Sequence, residues 1–79
     1  MKPEKRSFNI AGHRTSISLE TAFWEALRDL AARDRISMAQ LVARIDKARG
    51  MTNLSSAVRV HILAQYRNPP VPSRPAEPT

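Results

Sequence analysis

The chain of 79 residues contains no cysteine, two glycines, two histidines and four aromatic residues (one Trp, one Tyr, two Phe). Each shortage excludes something. Without cysteine there is neither a disulfide nor a thiolate zinc site to staple a small fold. Gly12 and Gly50 stand far apart, so there is no glycine-rich loop of the kind that cradles phosphates. His13 and His61 lack the close spacing of metal ligands, and no metal or cofactor is expected. No acid pair sits in an apolar setting, and no nucleophile has a histidine and a carboxylate patterned beside it. The chain is therefore not read as an enzyme. No apolar run approaches the ~20 residues of a membrane span. The charged start Met1-Lys2-Pro3-Glu4-Lys5-Arg6 is not followed by an apolar stretch, so no signal peptide is expected, and the cytoplasm is the expected compartment.

Acidic residues are also few. Thirteen Lys and Arg against seven Asp and Glu leave a net charge of +6. That balance suits a polyanionic partner. The length allows one domain, and lone chains of this size have marginal cores.

Residues 1–12 read as a basic N-terminal arm. Within it Ser7-Phe8-Asn9-Ile10 alternates polar and apolar, and Gly12 marks a bend, leaving open whether residues 7–12 add a strand. Arg14-Thr15-Ser16-Ile17-Ser18-Leu19 alternates with period two. Thr15, Ile17 and Leu19 fall on one face, and Arg14, Ser16 and Ser18 on the other, predicting a half-buried strand at about 14–19.

The period then changes. Phe23, Trp24, Leu27, Leu30 and Ala31 form one helical stripe, predicting a helix over about 20–33. Ser37 with Gln40 three residues later is a capping-box pattern. It opens a helix over about 38–48 that carries Met38, Leu41, Val42 and Ile45 and ends before Gly50. Thr52 or Asn53 can cap a third helix over about 53–67, with Leu54, Ala57, Val58 and Ile62 on one stripe and Val60 and Leu63 beside it. Apolar on more than one face, this helix should be largely buried. Residues 68–79 hold five of the six prolines and read as a disordered tail.

The expected fold is mostly α with one short strand (α+β), its domain covering residues 13–67. A single strand leaves backbone donors and acceptors unpaired on both edges. Two copies related by a two-fold axis would pair strand with strand and share a core.

Taken together, the strand at Arg14–Leu19, the helix with Phe23, Trp24, Leu27 and Leu30, and the second helix opened by Ile36-Ser37 resemble the ribbon-helix-helix fold of the Arc, MetJ and CopG repressors. His13–Glu20 and Asn53-Leu54-Ser55-Ser56-Ala57 are similar to a bacterial branch with a third helix. Glu20-Thr21 departs from that branch's common proline-acid start to the first helix. The resemblance implies an intertwined homodimer with an intermolecular antiparallel ribbon that lies in the major groove of double-stranded DNA. By resemblance, Arg14, Ser16 and Ser18 contact bases. Ser37, Met38 and Ala39 clamp a phosphate at a helix N-terminus, and Lys5 and Arg6 of the arm add phosphate contacts. Ile17, Leu19, Trp24, Leu27, Leu41, Ile45, Val58 and Ile62 would form the dimer core.

The function so implied is a sequence-specific transcriptional regulator, a repressor, working as a dimer or as dimers side by side on DNA. Two rivals stand beside it. One is an antitoxin-type DNA-binding partner of a toxin, for which the Pro-rich tail is the only candidate protein-binding segment. The other is a non-specific nucleoid-associated protein.

Overall fold

The computed structural model describes residues 2–68. Two strands, β1 (Glu4–Ile10) and β2 (His13–Leu19), precede three helices, α1 (Thr21–Arg33), α2 (Met38–Ala48) and α3 (Leu54–Arg67). The expected tail lies outside the described residues but for Asn68.

The strands form an antiparallel hairpin in register from Glu4 opposite Leu19 to Ile10 opposite His13. Its connection is two residues long. Ala11 (φ 51°) and Gly12 (φ 81°) both take positive φ. That pattern belongs to the type I′ turn, whose twist matches that of paired strands. Alanine is costly there, because its Cβ crowds the backbone in the left-handed region. Replacing Ala11 with asparagine, which tolerates this region, should raise stability by up to about 1 kcal/mol. Thermal unfolding measures it. An unchanged or lower midpoint would mean that Ala11 carries no strain.

The hairpin corrects one expectation: residues 4–10 are a strand and not a free arm, so β2 pairs with β1 along one edge inside the chain. Alternation explains this. Phe8 and Ile10 on β1 and Thr15, Ile17 and Leu19 on β2 share one face, which packs on the helices. Trp24 of α1 holds β1 in place. Its indole Nε1–H donates to the Glu4 carbonyl (2.8 Å), and its ring lies 5.9 Å from that of Phe8.

Each helix end has a local cause. α1 closes with Ile36 N–H donating to the Ala31 carbonyl (3.0 Å) and Arg35 N–H to the Ala32 carbonyl (3.1 Å), with Arg35 at φ 57°. This is a Schellman-type end with arginine where glycine is usual. α2 begins with the capping box. Ser37 Oγ accepts from Gln40 N–H (3.0 Å), and Gln40 Oε1 accepts from Ser37 N–H (2.8 Å). Gly50, at φ 61°, follows its last turn. Asn53 caps α3 through its side-chain oxygen, which accepts from Ser56 N–H.

All eight residues expected in a shared core are buried within one chain; Ile17 is 1% exposed and Leu19 0%. The hairpin and the helices cover them within the chain. In contrast, α3 is buried on one stripe only: Leu54, Val58 and Ile62 face inward, while Val60, Leu63 and Tyr66 remain more than half exposed. Among the described residues, no helix is long and apolar enough to cross a membrane.

Candidate nucleic-acid interface

Because opposed residues of an antiparallel pair share a face, the register defines the hairpin's outer surface. Lys5 stands opposite Ser18, Ser7 opposite Ser16, and Asn9 opposite Arg14. Every one of the six is polar, and all are exposed but Ser18, which is half-buried. Two carry positive charge and none negative. The hydroxyls of Ser7 and Ser16 lie 3.1 Å apart and hydrogen-bond to each other. A two-stranded ribbon of this kind fits the major groove, and the side chains present are ones that can bond base edges.

Arg14, Ser16 and Ser18, singled out from the alternation of β2, thus fall together on this surface. Lys5 joins them from β1. Arg6 does not. Adjacent strand residues point to opposite faces, and Arg6 lies on the helix-facing side. Its guanidinium carbon sits 4.9 Å from the centre of the Trp24 ring, and its Nε donates to Glu4 Oε2 (2.6 Å). Arg6 covers the tryptophan and remains exposed.

Ser7 and Asn9 escape a reading that starts the strand at residue 14. The signal for them is the alternation of Ser7-Phe8-Asn9-Ile10, with Ala11-Gly12 as a two-residue turn between two alternating runs.

One end of the surface is fixed from behind. Arg59 of α3 donates through Nη2 to the Ser18 carbonyl (3.3 Å) and through Nε to Glu20 Oε1 (3.2 Å), while its guanidinium lies 5.9 Å from the Phe23 ring. Contact with its own backbone, and then Arg59, hold the Glu20 carboxyl below its ordinary pKa. This clamp ties the C-terminal end of β2 to α3.

The α2 N-terminus is a separate feature. The capping box occupies the N–H groups of Ser37 and Gln40, whereas those of Met38 and Ala39 have no acceptor among the described residues. Elsewhere on the surface, Arg33 bonds to Asp34 and Gln65, and His61 is half-buried on α3. Burial first, and then Arg33, push the His61 imidazole below its ordinary pKa. His13 is exposed beside the turn.

Comparison with known proteins agrees with this architecture. A solved structure, that of an uncharacterized protein from Bordetella pertussis Tohama I, is 34% identical to the chain with a TM-score of 0.69, the match covering 94% of this chain and 68% of that one. No curated protein matches. A family model described as "Ribbon-helix-helix domain" matches residues 3–66. The chain therefore belongs to the ribbon-helix-helix family, a DNA-binding fold whose members are typically dimers.

Proposed function

We propose that this protein is a sequence-specific transcriptional regulator, a repressor, that lays the outer face of its hairpin in the major groove of double-stranded DNA. The observation that carries the reading is that face: six polar residues in register, two of them cationic, on a ribbon backed by a closed core. Arg14 is assigned a bidentate contact to guanine O6 and N7, and Ser16 and Ser18 less selective base contacts. Lys5 and the free N–H groups of Met38 and Ala39 are assigned to phosphates. Phosphate contacts fix register without reading sequence. The cytoplasm is the compartment that goes with this role.

The protein acts as a homodimer in this reading, with the β2 edge that β1 leaves open available to pair with the same edge of the second copy.

The test is fluorescence anisotropy with the protein's own upstream region and a scrambled duplex, with light scattering on the same samples. The triple variant Arg14→Ala, Ser16→Ala, Ser18→Ala should lose the preference for the upstream duplex while its mass in solution stays unchanged. A wild-type protein that binds both duplexes equally would favour a non-specific nucleoid role.

A further inference from the structure

We infer that two copies of the chain meet on α3, the outer face of Val60, Leu63 and Tyr66 packing against the same face of the second copy beside the paired β2 edges. The inference rests on the homodimer of the reading above and names the apolar surface that holds it together.

The case begins with what the core uses up. All eight residues whose spacing suited a shared core are buried inside one chain. A dimer therefore needs other apolar surface. Stable interfaces bury about 800 Å² per partner, and a strand edge supplies backbone hydrogen bonds with little apolar area. Among the described residues, the large apolar side chains that stay exposed are Met51, Val60, Leu63 and Tyr66. Three of the four lie on α3 at intervals of three, which places them on one face. Half-buried Phe23 of α1 adjoins them across an open hollow of about 270 Å³, with Ile62 at its floor.

The position of this face decides its occupant. The Ile10–His13 pair closes a two-residue turn and is the hydrogen-bonded kind. Bonded pairs alternate along an antiparallel ladder, so the N–H and C=O groups of Arg14, Ser16 and Ser18 point away from β1. Arg59 agrees with that direction, donating to the Ser18 carbonyl (3.3 Å) from α3. Thus α3 lies beside the edge of β2 that β1 leaves open. Leu63 follows Arg59 by one turn on the same side of the helix. A second copy that pairs its β2 with this edge about a two-fold axis carries its own α3 to the same place, and an isologous contact sets like face against like face.

The chemistry suits such a contact. The side chains are aliphatic and aromatic, the kinds that fill interface centres. Arg59, the cation in their midst, is paired with Glu20 (3.2 Å). Arg67 stands at the end of the helix.

The chain has no cysteine, so single cysteines report on the contact cleanly. Leu63→Cys, treated with a short bis-maleimide, should link two full-length chains on a denaturing gel. Met51→Cys, fully exposed between α2 and α3 and off this stripe, sets the level of random collision. Leu63→Glu should weaken the dimer at least about 30-fold by sedimentation, the effect of losing one interface hot spot. Leu63 is exposed in the single chain, and the fluorescence of Trp24, the only tryptophan, reports that the variant stays folded. A wild-type dimer whose affinity Leu63→Glu leaves unchanged, with no Leu63→Cys link above the Met51→Cys level, would overturn the role of α3 while the homodimer stands. A wild type that is monomeric both free and on its upstream duplex would sink both.

Discussion

Replacing Trp24 with alanine should lower the free energy of unfolding by about 3–5 kcal/mol, the range for truncating a large buried aromatic. Small domains have about 5–15 kcal/mol in total, so the variant should be partly unfolded at ordinary temperature. Trp24 is 2% exposed and gathers three contacts from β1 at one ring. Phe8 packs beside it, the Arg6 guanidinium covers it, and its N–H holds the Glu4 carbonyl. Removing the ring leaves a cavity under β1 and frees the strand that carries Asn9. Trp24→Phe separates the contributions. It keeps most of the packing but loses the N–H donor, at about 1 kcal/mol. Urea unfolding followed by circular dichroism measures both variants. An alanine variant that loses less than about 1 kcal/mol would mean that β1 is not held on α1 through this residue.

The same residue shows what was legible in the sequence and what was hidden. Strict alternation made β2 visible, and Ser37 with Gln40, Gly50 and Asn53 marked the helix ends because each has a backbone requirement met by few residue types. β1 was harder. Its first half, Glu4-Lys5-Arg6, is all charged, and a charged run reads as a solvated arm. In the fold Arg6 lays its planar cation over Trp24 and acts as cover for an apolar ring, a use of arginine that periodicity scores as polar. The turn was masked too, since alanine occupies the position where asparagine or aspartate announces a type I′ hairpin. Burial of Ile17, Leu27, Leu41 and the rest was readable from spacing. Which chain does the burying was not, because an apolar stripe looks the same whether α3 and β1 cover it or a second copy does.

On the candidate site, sequence supplied half of the outer face and the structure the other half. Arg14, Ser16 and Ser18 come from a strand that could be recognised alone. Lys5, Ser7 and Asn9 join them only through the pairing register, which no local pattern states. Arg59 is a further case. Forty-one positions from Ser18, it fixes the end of β2 through a carbonyl and a carboxylate, and nothing in its own neighbourhood on α3 points there.

The largest expected effect concerns salt. Each cation that neutralises a phosphate releases a counterion, so log K should fall against log salt with a slope near −0.9 per contact. If Lys2 and Lys5 meet phosphates, one chain contributes two such contacts and a slope of about −1.8. Two chains on one site contribute four and a slope of about −3.6. Raising salt from about 50 to 200 mM would then weaken binding about 12-fold for a single chain and about 150-fold for a pair. Anisotropy titrations at four or five salt concentrations separate these cases, because the slopes differ twofold whatever the absolute affinity. Lys5→Ala should reduce the slope by about 0.9 for each chain bound and weaken all duplexes alike, whereas Ser16→Ala should leave the slope unchanged and alter only the preference among sequences. A slope near zero would mean that this cationic face does not meet phosphates, and the groove-reading geometry built on it would fall with it. A steep slope shared by the upstream and scrambled duplexes, with no difference in affinity between them, would leave the electrostatic contact standing and remove base reading.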